Sequence, residues 1–366
     1  MEVIHSISNY RPQKPAILTI GTFDGIHIGH QKIISNLVKK AKKEDLCAIV
    51  LTFFPHPRMV LQKETQLKMI DTLEEKTKLL EQLGVQVLII QSFTPEFSRM
   101  TAIEYTRDIL VNKLCISKLI IGYDHRFGRN REATVKDLKH FGSDFNFTVE
   151  EIPAQDIESI AVSSTKVRNA IISGEIRKAN QFLGRPFSLN GLIVEGDKIG
   201  REMGYPTANL EIEEDYKLKP QKGVYLVQSS LYGKKHFGMM NVGKRPTVSG
   251  KKTRIETCFF DFKGNLYGKK LSIDLLEKIR DEQKFNSLDS YRNINVEATK
   301  NHAIQAAKSG VKRLIFLSTI GVNGNFTKDQ NVFDIMQGVA INVFVKTGKK
   351  KTNELGRVFH YDLYGK

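Results

Sequence analysis

The sequence is short of the features that mark a membrane or secreted protein. None of its apolar runs approaches the roughly 20 residues that a membrane-spanning helix needs. The opening residues, "MEVIHSISNYRPQKP", hold neither an apolar core nor a small-residue cleavage site, so no secretion signal is expected. Cysteine is scarce: Cys47, Cys115 and Cys258 are the only three in 366 residues. They stand far apart, are odd in number and form no C-x-x-C pair. That excludes a disulfide framework and a structural zinc site, and points to a reducing cytoplasm. An internal repeat and a long low-complexity linker are missing as well.

Acidic residues are in deficit, 40 against 56 Lys and Arg, a formal net charge of +16. The surplus is spread out. Residues 291–366 carry 12 basic and 5 acidic residues, part of them in the run Lys349-Lys350-Lys351, which leaves 44 against 35 for the first 290. A nucleotide-binding enzyme accounts for this balance as well as a nucleic-acid binder does, and no specific nucleic-acid partner is expected. What is present is a globular composition, 40% hydrophobic and 26% charged, with length enough for two domains.

The first 150 residues alternate β-rich runs with helical patterns. "AILTIG", "LCAIVLTF", "VQVLII" and "ISKLIIG" read as buried strands. "HQKIISNLVKKAKKE", "TLEEKTKLLEQLG" (with Gly84 as C-cap) and "TAIEYTRDILVNKL" read as helices. Such alternation implies a parallel sheet with helices on its faces, and ligands bind beyond the carboxyl ends of its strands. From "LGRPFSLNG" onward the texture becomes short strands with Gly-, Asn- and Pro-bearing turns, which implies an antiparallel barrel or sandwich of about 100 residues. Beyond Tyr291 it changes again, to one helical pattern and one apolar run.

The stretch "GTFDGIHIGH" (21–30) lies where a strand hands over to a helix. Gly21 and Gly25 would let the backbone turn tightly and approach a ligand, and Gly29 would keep the helix start uncrowded. A helix N-terminus offers free N–H groups and partial positive charge to phosphates. His27 and His30, in H-x-G-H, add imidazole donors for phosphate oxygens. The plainer alternative is a histidine that only caps the helix. A second cluster, "AVSSTKVRNAI", places Ser163 or Ser164 at a cap, with Thr165, Lys166 and Arg168 in the first turn. Cations are unfavourable there unless an anion compensates them.

Together "GTFDGIHIGH" and "SSTKVR" resemble the H-x-G-H nucleotidyltransferases, in particular the FMN adenylyltransferase half of the bacterial bifunctional riboflavin kinase/FAD synthetases. "TFFPHP", "IGYDHRFGRNREA" and "FLGRPF" match that family too. The resemblance implies a doubly wound, Rossmann-like nucleotidyltransferase domain. His27, His30 and Arg168 would be catalytic and, with Ser164, would hold the ATP phosphates; Gly21, Phe23, Asp24, Gly29 and Thr165 would be further binding positions, and Phe54, Pro55, His56 and Asp124 would lie near the flavin. Two departures stand out: Phe54 where an acid is common, and His125 in place of an aromatic. The reaction implied is attack of an FMN phosphate oxygen on the α-phosphorus of ATP, giving FAD and pyrophosphate, with Mg2+ sharing the charge.

In the second region "GREMGYPTANL" (200–210) taken alone is a polar turn. It resembles the P-T-A-N signature of riboflavin kinases, and "KGVYLV", "NVGKRPT", "IETCFFDF", "NLYGK" and "KIRDEQKF" follow in that family's order. The resemblance implies an all-β kinase barrel. Gly204 and Pro206 would shape the nucleotide loop, Thr207 and Asn209 would hold Mg2+ with ATP, and Glu256 would be the general base for the ribityl hydroxyl. Arg280 would sit by the flavin phosphate. Two imitations fail. "GMMNVGKR" has P-loop spacing but Arg245 where Ser or Thr binds the metal, and "SSTK" with "KTG" lacks the third β-lactamase motif.

The expected organisation is therefore an adenylyltransferase domain over 1–185, a riboflavin kinase domain over 186–290 and an atypical α/β tail over 291–366. Within the tail, 291–324 resembles a piece of the NAD-dependent sugar-nucleotide epimerases without their glycine-rich loop. Residues 331–366 resemble a fragment of a restriction-type DNA methylase/helicase. The substrates implied are riboflavin, FMN and ATP. A second reading is a flavin- or nucleotide-binding protein with adenylyltransferase activity only, or none, because the tail damages the kinase. No membrane partner is expected.

Overall fold

The structure, a computed structural model, describes residues 1–61, 67–122, 126–152, 162–196, 207–247, 250–260, 262–281, 313–315, 341–345 and 358–361. Asp124, His125, Gly204 and Pro206 lie outside the described residues. Contacts divide the chain into two compact units. One is Met1–Gly191 with Ile212–Gln221 and Ser272–Glu277; the other is Leu192–Glu211 with Lys222–Leu271 and Lys278–Lys366.

In the first unit the strands β1 (Glu2–His5), β2 (Ala16–Ile20), β3 (Cys47–Phe53), β4 (Val87–Gln91), β5 (Ile116–Gly122) and β6 (Thr148–Ile152) form one sheet. Its order is β1-β4-β3-β2-β5-β6 and every pair is parallel. Continuous apolar runs such as "AILTI" suit strands buried on both faces, and alternation along the strand then feeds two cores. Ile17, Ala48 and Val50 pack with Ile34 and Leu37 on one side. Leu18, Ile49 and Leu51 pack with Leu110 and Leu138 on the other.

The helices are α1 (Ile28–Lys43), α2 (Pro57–Leu61), α3 (Leu73–Gln82), α4 (Ala102–Glu104), α5 (Val135–Asp144), α6 (Ser164–Ile172) and α7 (Ile176–Leu183). α4 runs on into a π-helical stretch, Tyr105–Val111, so the single helix expected over this segment is interrupted in its winding. Strands β1 and β6 and helix α5 add to the expected set. β6 escaped because two of the five residues of "TVEEI" are charged: it is an edge strand whose charges are paired, Lys139 with Glu151 at 2.8 Å and Lys40 with Glu150. Chain order runs from β2 through β3 and β4 on one side and to β5 and β6 on the other. The turn after β2 therefore opens at the point where strand order reverses.

The barrel consists of β7 (Phe187–Val194), β8 (Ala208–Glu211), β9 (Gly223–Leu231), β10 (Lys234–Thr247), β11 (Gly250–Phe259) and β12 (Lys270–Arg280). It closes in the order β10-β11-β8-β7-β12-β9, which settles the choice between barrel and sandwich. Register carries its apolar lining: Met240 pairs with Tyr225 and Thr257, Val242 with Ile255, and all five are buried. The described tail residues are the strands β13 (Arg313–Ile315), β14 (Ile341–Val345) and β15 (Val358–Tyr361), paired antiparallel. The helix expected over 291–310 lies outside the described residues.

Candidate active site

The β2–α1 turn is held in a conformation that most residues avoid. Phe23 (φ 44°), Gly25 (φ 86°) and Ile26 (φ 35°) all take left-handed backbone. At Gly25 an added Cβ would meet Ile70 Cδ1 at 2.9 Å, so both space and φ call for glycine. Gly21 differs from expectation. Its φ is not left-handed, and what it provides is room under the Phe23 ring, 3.1 Å from where a Cβ would stand.

His27 is the N-cap of α1, its Nδ1 accepting the His30 N–H at 3.3 Å. Capping and phosphate contact are not exclusive. An acceptor at Nδ1 places the proton of the neutral ring on Nε2, which makes Nε2 a donor. The His27 and His30 rings stack at 3.7 Å, with Phe23 edge-on to His30 at 5.2 Å. Burial pushes the His27 imidazole down to about 4. His30 is driven well below the ordinary value by burial first, then by His27 and Lys76. Both rings are neutral at pH 7. His30 Nδ1 is buried and, among the described residues, has no hydrogen-bond partner.

Around the turn lies an ion network assembled from distant parts of the chain. Asp24 is 1% exposed. One of its carboxylate oxygens accepts the Ile70 N–H at 2.8 Å and the other meets Arg168 at 2.6 Å. Ser164 Oγ donates to the Asp24 carbonyl at 2.9 Å, so helix α6 is fastened to the turn through two of its residues. Arg185 Nη2 meets both carboxylate oxygens of Asp71, at 2.7 and 2.8 Å, and reaches the Gly25 carbonyl at 3.2 Å. Lys76 donates to the Thr22 carbonyl at 2.7 Å. Burial pushes the Asp24 carboxyl up against the pull of Arg168 and Lys76, and pushes the Lys76 ammonium down. Neither α1 nor α6 carries an acid in its first turn, contrary to the usual preference at a positive helix end. Thr165 is exposed on α6, and Ser163 rather than Ser164 is its cap.

The residues expected near a flavin sit on the loop after β3. Phe54-Pro55 is a cis peptide, Pro55 is exposed, and His56 is buried with its Nδ1 accepting the Arg58 N–H at 3.1 Å. Burial, then Lys76, Arg168 and Arg58, bring His56 down to about 4. Phe54 lies 5.0 Å from the ring of Tyr216. The segment Ile212–Gln221 also contributes Lys217, which is 1% exposed. Its Nζ donates to the Ile70 carbonyl at 2.7 Å and to Glu75 at 2.5 Å. Glu75 in turn completes the capping box of α3 by accepting the Thr72 N–H at 2.7 Å. The run Met69–Lys76 is thereby held from both sides.

In the barrel, register does the work. Asn209 on β8 stands opposite Glu256 on β11. Arg254, two residues along on the same strand face, donates to Asn209 Oδ1 at 3.1 Å and pairs with Glu256 at 2.7 Å. Gly196 packs against the Asn209 amide: a Cβ there would lie 2.2 Å from Nδ2. Thr207 immediately precedes β8, half-buried. Arg280 ends β12, its guanidinium on the Asp281 carbonyl at 3.3 Å.

Sequence reading assigned no role to Lys76, Asp71, Arg185, Arg254 or Lys217. For Lys76 a signal existed. It falls on the apolar face of α3 with Leu73 and Leu80, where a solvated lysine has no reason to be. Arg185 lay within the quoted "FLGRPF" without a role. The other three are reached only through tertiary contacts.

The halves of the chain have separate likenesses. A family model described as FAD synthetase matches residues 10–166, and one described as riboflavin kinase matches residues 183–294. A protein of Buchnera aphidicola subsp. Schizaphis graminum is 37% identical over 292 residues, 78% of this chain and 93% of its own length. Its counterpart in Escherichia coli K12 is 34% identical over 290 residues, 79% of this chain and 92% of its own length. Both are named bifunctional riboflavin kinase/FMN adenylyltransferase. A crystal structure from Streptococcus pneumoniae, described as a macrolide-efflux protein, is 31% identical with a TM-score of 0.74. It covers 82% of this chain and 98% of its own. Among the described residues no helix here is long and apolar enough to cross a membrane.

Proposed function

The chain belongs to the family of bifunctional riboflavin kinase/FMN adenylyltransferases, and on that footing we propose that its two halves perform successive ATP-dependent transfers. In the first the 5′-hydroxyl of riboflavin attacks the γ-phosphorus of ATP, giving FMN and ADP. In the second a phosphate oxygen of FMN attacks the α-phosphorus of another ATP, and pyrophosphate leaves. We assign the second transfer to 1–185, the first to 186–290, and no catalysis to 291–366. The enzyme's place is the cytoplasm, in keeping with its three scattered thiols.

The observation that carries the adenylyltransferase reading is the surplus of positive charge, among the described residues, around the β2–α1 turn. Lys76, Arg168 and Arg185 stand against Asp24 and Asp71, beside two helix N-termini that lack acids. Such an enclosed site favours a polyphosphate and stabilises charge as it shifts toward the leaving pyrophosphate. His27 Nε2–H donates to a phosphate oxygen while Nδ1 keeps the cap. His30 offers the second donor. Arg168, fixed by Asp24, presents its remaining N–H groups to the same anion. Thr165, Phe23, Gly21 and Gly29 shape the nucleotide cleft, and Pro55 and His56 border the flavin.

In the kinase half Glu256 takes the proton of the ribityl hydroxyl, Arg254 holds that carboxylate in place, and Arg280 faces the flavin phosphate. Mg2+ is the metal implied, and the donor set suits it. A hydroxyl at Thr207 and an amide oxygen at Asn209 are hard oxygens, and Asn209 Oδ1 keeps a lone pair beside its bond from Arg254. When bound there, the metal would neutralise phosphate charge.

Purified protein incubated with riboflavin and Mg·ATP, with flavins separated by chromatography, tests the whole reading. FMN appears first and FAD accumulates behind it. FAD from supplied FMN, with no FMN from riboflavin, would overturn the kinase half. Neither product would overturn both.

A further inference from the structure

Lys76 is 1% exposed, and its Nζ donates to the Thr22 carbonyl at 2.7 Å. Taking an ammonium out of water costs several kcal/mol unless charge and hydrogen bonds repay it. Among the described residues the acids within its field are Asp24 and Asp71, and each already meets an arginine, Arg168 at 2.6 Å and Arg185 at 2.7 Å. Three cations thus share two anions, and Lys76 is the most enclosed of the three. Leucine would fit its face of α3, where the neighbours in the helical pattern are Leu73 and Leu80. A cation kept at such a position has a use other than packing.

We propose that Lys76 is a positioning residue for adenylyl transfer, its ammonium fixing the Thr22 carbonyl and with it the turn that presents His27 and His30. The inference rests on those two histidines being phosphate donors. The same carbonyl accepts Thr52 Oγ1 at 3.3 Å, so β3 and α3 grip the turn at one atom. A second effect comes from charge. Among the described residues Lys76 acts on Asp24, Asp71, His30 and His56; His27 also acts on His30, Arg168 and Arg58 act on His56, and Arg168 and Arg185 pair with Asp24 and Asp71. Of the histidines, His30 and His56 feel Lys76, which adds to burial in holding both rings neutral. Protonation would break what the neutral rings make: the stack on His27 at 3.7 Å, and the bond from the Arg58 N–H to His56 at 3.1 Å. Removing the cation raises the proton affinity of both rings, so activity is lost at a higher pH than in the parent.

The test compares Lys76→Gln, which keeps a donor without charge, with Lys76→Arg, which keeps the charge. Riboflavin phosphorylation on the same chain reports an undisturbed kinase half, and resistance of the first unit to proteolysis reports its folding. Lys76→Gln should lower kcat for FAD formation from FMN by tenfold or more at pH 8, with FMN formation within twofold of the parent. Its ratio of kcat/KM at pH 4.5 to that at pH 8 should fall at least twofold further than the parent's, while Lys76→Arg keeps the parent ratio. FAD formation within threefold of the parent overturns the proposal, and so does a lowered kcat with an unchanged pH ratio. If Lys76→Gln does not accumulate as folded protein, Lys76→Arg decides: a reduced kcat with the parent pH ratio supports the proposal, and a lowered ratio overturns it. His27→Ala and His30→Ala run alongside. If they leave FAD formation intact, the assignment of the site fails; if they abolish it and Lys76→Gln does not, only the role of Lys76 falls.

Discussion

The two candidate sites are put together by different means. Around the β2–α1 turn, residues 24, 71, 76, 168 and 185 meet through loops and helix starts, and the charges they carry are buried or nearly so. In the barrel, sheet register alone sets Asn209 opposite Glu256, and Arg254 and Glu256 are 29% and 28% exposed at their side chains. The first arrangement holds every member in place by several contacts, at the risk that losing one strands another without a partner, worth about 3–5 kcal/mol. The second is partly solvated, so its ion pair adds about 1 kcal/mol or less to stability and serves orientation. Chemistry that relies on fixed charge suits the first design. Chemistry that moves a proton to a carboxylate suits the second.

Single substitutions should cut the two activities apart. His30→Ala is expected to lower FAD formation from FMN by about 10²–10³-fold, the usual cost of removing one donor to developing charge, and to leave riboflavin phosphorylation unchanged. Glu256→Gln should do the reverse, with FMN formation down about 10²-fold or more and FAD formation from supplied FMN intact. Steady-state assays of both reactions on each variant settle it. Loss of both activities in either variant would mean that the halves do not act separately.

Acid should distinguish the halves by stability. Among the described residues the histidines with depressed proton affinity, His27, His30 and His56, all belong to the first unit. His27 and His56 titrate at about 4 when folded, against an ordinary 6.5. The unfolded chain therefore binds more protons between those values, and folding free energy is lost as pH falls through that window. From pH 8 to pH 5 the loss is about 2 kcal/mol per histidine. Pulse proteolysis in urea at the two pH values, with fragments weighed, should show the first unit cut preferentially at pH 5. Equal weakening of both units would remove the imidazoles as the cause.

The sequence carried the sheet and barrel wherever pattern was local. "AILTI" and "CAIVLTF" are apolar throughout because both faces of those strands are covered. "TVEEI" was missed because an edge strand looks like a charged loop. Motif residues His27, His30, Ser164 and Arg168 do come together, yet nothing in their spacing shows that Arg168 reaches them through Asp24. Lys217 illustrates the limit best. Local periodicity in "EEDYKLKP" gives no sign that this lysine is fully enclosed against Glu75, since only the path of the chain brings them together.

The smallest expected effect probes how register alone holds the barrel site. Gly196 takes no left-handed backbone, so its importance is a matter of space: a Cβ would fall 2.2 Å from Asn209 Nδ2. That contact cannot persist, and the atom that must give is the end of a side chain rather than backbone. The amide can swing only by loosening the bond from Arg254 at 3.1 Å, and Arg254 is also what orients Glu256 at 2.7 Å. Gly196→Ala should therefore lower FMN formation about tenfold, the factor equivalent to about 1.4 kcal/mol in the barrier. The melting temperature should stay within about 3 °C, since no core residue is disturbed. FAD formation from FMN should not change, because Gly196 and Asn209 belong to the second unit. Unchanged FMN formation would show that the amide of Asn209 is free to move without cost, and that the arginine bridge is incidental to the kinase.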